Sequence, residues 1–156
     1  MKEIINLKEK KYIVVSGEQP DQETSHAILL CSGKYVLQLR SNCPTISAPN
    51  QWSFFGGQKK RGETSIETMR REIFEELAIV PTKLSRLWVT DYLDPYLSLI
   101  VRTTFFWSDI TDRWPNCRLN EGQAVKAFSF KGLSKITLPS ITKITIERFQ
   151  KQHSKG

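Results

Sequence analysis

A layered α/β or α+β fold is what this sequence predicts. Short apolar runs of β type stand on both sides of one strongly signalled central helix, and a second helical segment closes the chain. No internal repeat, low-complexity tract or long Gly/Ser/Pro linker divides it. With 156 residues the chain is the size of one ordinary domain, so a single unit over residues 1–156 is expected.

The first third reads as strands at residues 12–15, 27–31 and 35–39, with Ser32-Gly33-Lys34 having the composition of a hairpin turn. Residues 41–50, with Pro44 and Pro49, form a loop, and Trp52-Ser53-Phe54-Phe55 is an aromatic strand expected to stop at Gly56-Gly57. Thr64 followed three residues later by Glu67 is a capping box. It opens a segment free of Gly and Pro until Pro81, in which Ile66, Met69, Ile73 and Leu77 recur at helical spacing, so a helix spans residues 65–77. Two longer β runs follow at residues 84–92 and 97–107, then a polar loop over 109–121 and a strand at 124–130. Residues 140–151 read as a helix with Ile141, Ile144 and Phe149 on its buried side and a basic end that suits the helix dipole.

Composition narrows the function classes. Hydrophobic residues at 39% and charged residues at 25% match globular proteins, and no apolar run has the roughly 20 residues that span a bilayer, which argues against disorder and a membrane protein. Residues 1–11 mix Lys and Glu around a short Ile5-Asn6-Leu7 break and lack the apolar stretch of a secretory signal, so a cytoplasmic location is expected. Cys31, Cys43 and Cys117 show no CxxC spacing and no histidine cluster, which leaves them as reduced thiols. The net charge of +7 favours anionic partners such as nucleotides, nucleic acid or phosphate-rich substrates.

Chemistry concentrates on the central helix. At about 100° per residue, Glu72, Glu75 and Glu76 fall within about a third of its circumference, beside the apolar stripe. Like charges at this spacing cost roughly 0.2–0.5 kcal/mol per pair, so the cluster needs open solvent or a cation. A run of Glu, Arg and Lys on a helix is ordinarily a solvated face, and only its context lifts this one above that reading. A carboxylate-rich oxygen site is what hard divalent ions such as Mg²⁺ bind.

From Gly57 the chain reads GQKKRGETSIETMRREIFEELAI over residues 57–79. This resembles the signature of the Nudix hydrolase family: Gly, five residues, Glu, seven residues, then Arg-Glu-apolar-any-Glu-Glu-any-Gly-apolar. Gly57, Glu63, Arg71, Glu72, Glu75 and Glu76 match by identity, and Ile73 and Ile79 by type. Identities at these spacings arise by chance less than about once in 10⁶ trials at ordinary residue frequencies. Ala78 stands where the family has Gly, which puts the loop geometry after the helix in question and is expected to cost about 1 kcal/mol or shift the helix end.

The resemblance implies a Nudix-type α/β/α sandwich, with a mixed β-sheet between helices. It implies metal-dependent cleavage of the pyrophosphate linkage in a nucleoside diphosphate derivative, such as a nucleoside triphosphate, nucleotide sugar or dinucleotide. Mg²⁺ is the expected cofactor, with Mn²⁺ as its alternative. Glu72 and Glu76 are the best metal ligands, with Glu75 third, and Glu76 is favoured over Glu75 as general base. Arg71 is expected to pair with Glu63 and brace the loop before the helix. A carbonyl of the Gly-Gly pair, assigned to Gly56, would join the metal shell, and Glu121 in the late polar loop is a further candidate ligand. Arg40, Lys59 and Tyr96 are candidates for substrate binding; Pro95 and Tyr96 lie in a region associated with substrate choice in relatives and point to two different choices. Two other functions compete with small-molecule hydrolysis: an RNA 5′-end pyrophosphohydrolase, motivated by the basic balance and the basic tail at residues 151–155 but not favoured, and a non-catalytic nucleotide-binding module. A homodimer is also compatible with the resemblance.

Overall fold

The computed structural model describes residues 10–154. The expectations for residues 1–9 and for Lys155 lie outside these described residues. The elements in chain order are β1 (Ile13–Val14), β2 (Gln22–Cys31), β3 (Lys34–Leu39), β4 (Trp52–Ser53), β5 (Phe55–Gln58), α1 (Ser65–Leu77), β6 (Ser85–Asp94), β7 (Leu99–Asp109), β8 (Ala124–Phe128) and α2 (Ser140–His153), with short 3-10 turns at Trp114–Asn116 and Lys131–Lys135. The strands form one mixed sheet in the order β1-β6-β7-β2-β3-β4, with β5 also paired to β2 and β8 to β3. Its spine is the parallel β2–β7 ladder running from Gln22 opposite Val101 to Leu30 opposite Asp109, and the remaining pairings are antiparallel.

Successive residues of a strand point to opposite faces, and here that alternation sorts the core into two layers. Ile28, Leu37, Phe54 and Phe105 pack with Ile141, Ile146 and Phe149 of α2. Their neighbours Leu29, Val36, Phe55 and Phe106 pack instead with Met69, Ile73 and Leu77 of α1. The α/β/α sandwich follows from this period-2 division: one helix covers each face. Among the described residues no helix is long and apolar enough to cross a membrane.

Helix α1 starts where the sequence places it. The Thr64 side chain accepts from the Glu67 backbone N–H at 3.3 Å, and the Glu67 carboxylate accepts from the Thr64 backbone N–H at 3.3 Å, completing the capping box. At the other end Ala78 takes the left-handed conformation, φ 57° and ψ 28°, and its N–H donates to the Phe74 carbonyl at 2.9 Å. The helix end has not shifted; an alanine has been forced into the glycine conformation.

Three sequence expectations need correction. Strand β5 does not stop at Gly56-Gly57 but runs through both to Gln58, because Gly56, Gly57 and Gln58 pair with His26, Ser25 and Thr24. Strand β2 begins at Gln22, well before the apolar run, since a polar segment can be a strand when ladders on both sides take up its backbone groups. In α2 the buried arc is Ile141, Thr142, Thr145, Ile146 and Phe149, whereas Ile144 is 48% exposed. Ile144 lies about 135° from the centre of that arc at 100° per residue.

The strained cap supplies a test. Because a Cβ disfavours the left-handed region, Ala78→Gly is expected to raise stability by about 1 kcal/mol without moving the helix end. Urea denaturation of the two proteins measures this, and an unchanged or lowered midpoint would contradict the strain.

Candidate active site

The carboxylates of α1 meet the glycines of β5. The Gly56 backbone N–H donates to Glu76 Oε2 at 3.1 Å. Glycine is required at residue 56, and at residue 57 a side chain would displace Glu72. A Cβ on Gly56 would come within 2.1 Å of the Ser25 carbonyl oxygen, and one on Gly57 would lie 2.4 Å from Glu72 Oε1. The Glu72 carboxylate therefore sits in the space a side chain at residue 57 would fill.

Arg71 holds this arrangement in place. Its Nε donates to Glu63 Oε2 at 2.7 Å and its Nη2 to Glu63 Oε1 at 2.9 Å, a two-pronged pair that fits the planar fork of a guanidinium. Nη1 donates to Glu72 Oε1 at 2.8 Å and to Glu75 Oε2 at 3.2 Å, and Nη2 also donates to the Gln58 carbonyl at 3.0 Å. Arg71 hydrogen bonds hold the Glu63 carboxyl down at about 2, and Glu63 in turn raises the Arg71 pKa.

Glu76 is in the opposite situation. It is 4% exposed, and burial, reinforced by repulsion from Glu72 and Glu121, pushes its pKa up to about 9. Burial also raises Glu72, opposed by Arg71 and reinforced by Glu75 and Glu121. Two carboxylates are thus held close together where ionising both is unfavourable without a counter-charge. Glu75 is the more exposed, its side chain 42% accessible, and it shares Arg71 Nη1 with Glu72. Glu121 lies on an exposed loop, near enough for its charge to reach both Glu72 and Glu76.

Among the described residues no group of three or more His, Cys, Asp or Glu side chains forms a ready-made metal cage. The donor chemistry nevertheless fits Mg²⁺, which keeps several waters and is held by one or two carboxylates together with substrate phosphates. Glu72 and Glu76 are the two residues that fit.

On the other side of the glycines lies a cavity of about 390 Å³, within the usual size of a small-ligand pocket. Gly56 and Gly57 line it together with Arg40, Thr24 and His26, and Tyr12, Tyr92 and Asp94 line it too. Arg40 reaches in from the end of β3. Its Nε donates to the Ser47 carbonyl at 2.7 Å, and its charge is felt at Glu76, His26 and Tyr92. Burial first, and Arg40 second, depress the His26 pKa to about 4, so its ring is neutral at physiological pH. The cavity lining includes neither Lys59 nor Tyr96. Lys59 is half-buried with its backbone N–H bound to the Glu23 carbonyl, and the Tyr96 hydroxyl accepts from Gln51 Nε2 at 2.6 Å while its ring tilts against Tyr12.

Of the residues chosen from sequence, the structure gathers Gly56, Glu63, Arg71, Glu72 and Glu76 at one point, with Arg40 across the glycines and Glu121 at the rim. Tyr12, Thr24, His26 and Asp94 are not expected from the sequence. A signal for two of them was present: Gln22, Thr24 and His26 alternate at period 2 directly before an apolar run, which marks one polar strand face.

The site class is thus an α/β/α sandwich in which one helix sets a buried and a half-buried glutamate against a glycine-walled cavity. The chain belongs to the Nudix family: the family model, described as NUDIX domain, matches residues 21–149. Solved structures with the same fold include the NUDIX domain of Shewanella oneidensis NrtR complexed with ADP ribose, at TM-score 0.72 and 19% identity over 97% of this chain and 99% of that one. A MutT NUDIX hydrolase from Burkholderia pseudomallei is similar at TM-score 0.66 and 23% identity, covering 83% of this chain and 98% of its own. A bifunctional NMN adenylyltransferase/ADP ribose pyrophosphatase from Francisella tularensis, complexed with AMP and a Mn ion, is similar at TM-score 0.66 and 16% identity over 88% of this chain and 43% of its own. No match was found among curated proteins.

The position of Glu76 generates a pH test. Its folded-state pKa, about 9, is above the ordinary 4.5, so the folded form holds this proton more tightly than the unfolded chain does. That contribution to stability is full below the ordinary value and is lost as pH rises toward 9. In metal-free buffer the melting temperature of the wild type is expected to fall between pH 5 and 9 more steeply than that of Glu76→Gln; parallel profiles would contradict the burial of an ionisable group here.

Proposed function

We propose that this protein is a divalent-metal-dependent hydrolase that cleaves the pyrophosphate linkage of a small nucleoside diphosphate derivative. The observation that carries the proposal is the pair of buried Glu76 and half-buried Glu72, set against Gly56 and Gly57 with the cavity beyond. A domain that only bound a ligand would gain nothing from holding two carboxylates where burial and repulsion from neighbouring carboxylates raise both pKa values.

The roles follow from position. Glu72 and Glu76 would hold the cation, Mg²⁺ or Mn²⁺, which when bound neutralises phosphate charge and lowers the pKa of a water. Glu76, whose Oε2 is oriented by the Gly56 N–H, is our choice to hold and move the proton of the attacking water. Arg71 and Glu63 fix the helix against the end of β5, and Arg40 supplies a cation on the cavity side for the phosphates. Glycine at residues 56 and 57 leaves the backbone bare where the diphosphate would pass.

A specific observation favours a second reading, ligand sensing without turnover. The NrtR domain complexed with ADP ribose matches this chain over nearly the full length of both. The RNA 5′-end reading is supported only by the net charge and the basic tail, and ranks below both.

One experiment separates these readings. Nucleoside triphosphates, nucleotide sugars and dinucleotides are incubated with Mg²⁺ or Mn²⁺, and release of phosphate or mononucleotide is scored. Turnover is expected with wild type and a loss of at least about 100-fold with Glu76→Gln and with Gly57→Ala, which would displace Glu72. Tight binding without release would favour the sensor, and undiminished turnover in Glu76→Gln would remove that residue from the chemistry.

A further inference from the structure

Asp94 is the acidic residue of the cavity lining, and the proposed hydrolysis does not use it. It stands at the end of β6 opposite Leu99, far along the ladder from the level of His26 and Gly56, so it marks the end of the cavity away from the carboxylates. Asp94 is 4% exposed. Its Oδ1 is fully engaged, accepting the Tyr96 N–H at 2.8 Å and the Leu97 N–H at 3.2 Å. Its Oδ2 has no hydrogen-bond or ion-pair partner among the described residues, yet no buried polar side-chain atom there is sealed away unsatisfied. Oδ2 therefore opens on the cavity, which Asp94 lines. A 96% buried carboxylate with one oxygen spent on its own turn and the other facing an empty space is an acceptor waiting for a ligand donor.

The surroundings define that donor. Tyr12, Tyr92, Leu97 and Val101 line the same end of the cavity, a setting that favours a flat aromatic ring over a sugar. A carboxylate oxygen accepts through two lone pairs, so Oδ2 suits a ring edge with adjacent N–H donors. The guanine edge carries an imino and an amino N–H side by side. Adenine places its N1 lone pair, and cytosine its N3 lone pair, next to the amino group and against the carboxylate; uracil flanks its one N–H with two carbonyl oxygens. We propose that Asp94 is the base-specificity residue of this cavity and selects a guanine nucleotide. The inference rests on the reading of the cavity as a nucleotide site.

The test uses binding, not turnover, so its failure can be told apart from failure of the hydrolase proposal. Affinities of GMP, IMP, AMP and XMP for the full chain are measured by calorimetry, with wild type and Asp94→Asn. For the wild type, GMP is expected to bind about 10-fold or more tighter than AMP, and tighter than IMP, which lacks the amino group. Asp94→Asn keeps an Oδ1 for the turn but turns an amide donor toward the cavity. It is expected to weaken GMP about 10-fold and to favour XMP, which has a carbonyl where guanine has the amino group. A merely structural Asp94 would weaken all four alike. Equal or tighter binding of AMP by the wild type, parallel losses in the variant, or no binding by any of the four would overturn the proposal, and the wild-type comparison decides even if the variant does not fold. Turnover of adenine substrates in the same preparation would leave the hydrolase reading standing while the base assignment fell.

Discussion

The Arg71 guanidinium is saturated. Its five N–H donors make five hydrogen bonds, to both oxygens of Glu63, to Glu72, to Glu75 and to the Gln58 carbonyl. These partners belong to three separate pieces of chain: the loop before α1, α1 itself and the end of β5. A single rigid fork thereby fixes how the helix sits on the strand, and the separation between the Glu72 and Glu76 carboxylates and the glycine backbone depends on it. Lysine would carry the charge but not the fork, since its three donors cannot span the two Glu63 oxygens in one plane while also reaching a helix partner and a strand carbonyl.

That clamp works because its partners differ in electrostatic character. Glu63 is stabilised in its ionised form, whereas Glu76, a turn and a half along the same helix from Arg71, is buried beyond reach of the fork and accepts only the Gly56 N–H among the hydrogen bonds of the described residues. One neighbourhood thus contains a carboxylate that is neutralised by an internal cation and another that is left without one. The first is architecture. The second is where an external positive charge lowers the energy of the site.

How much of this was legible in the sequence depended on range. On α1 and its cap the reading is local: the Thr64 cap, the Met69, Ile73 and Leu77 stripe and the common face of Glu72 and Glu76 all follow from spacings of three and four. Glu75 shows the limit, because spacing places it on the same face but cannot tell that it shares Arg71 with Glu72 and stands more exposed. Ala78 could be flagged as a departure, but not resolved, since the choice between strain and a shifted helix end depends on the packing of the segment beyond. The polar start of β2 and the passage of β5 through two glycines were hidden, because each is dictated by a partner strand distant in sequence: Thr24 lies beside both Gln58 and Thr103. Lys59 and Tyr96 were chosen by residue type and neighbourhood, and the fold directs them to other contacts.

The same difference of range explains why reaction class and substrate choice separate in this chain. The candidate chemistry is built by one helix and one glycine pair, so a short contiguous segment encodes it. The cavity is assembled from β2, the end of β3, the loop that Arg40 ties down through Ser47, the end of β6 and the start of α2. No contiguous segment contains it, and each element contributes a few residues while its others serve the core. Such positions can change without disturbing the carboxylates, because Gly56 and Gly57 stand between the two and carry no side chain that could transmit a change. A wall of bare backbone insulates the packing of one side from that of the other. The box can therefore remain intact while the far end of the cavity is rebuilt around a different group.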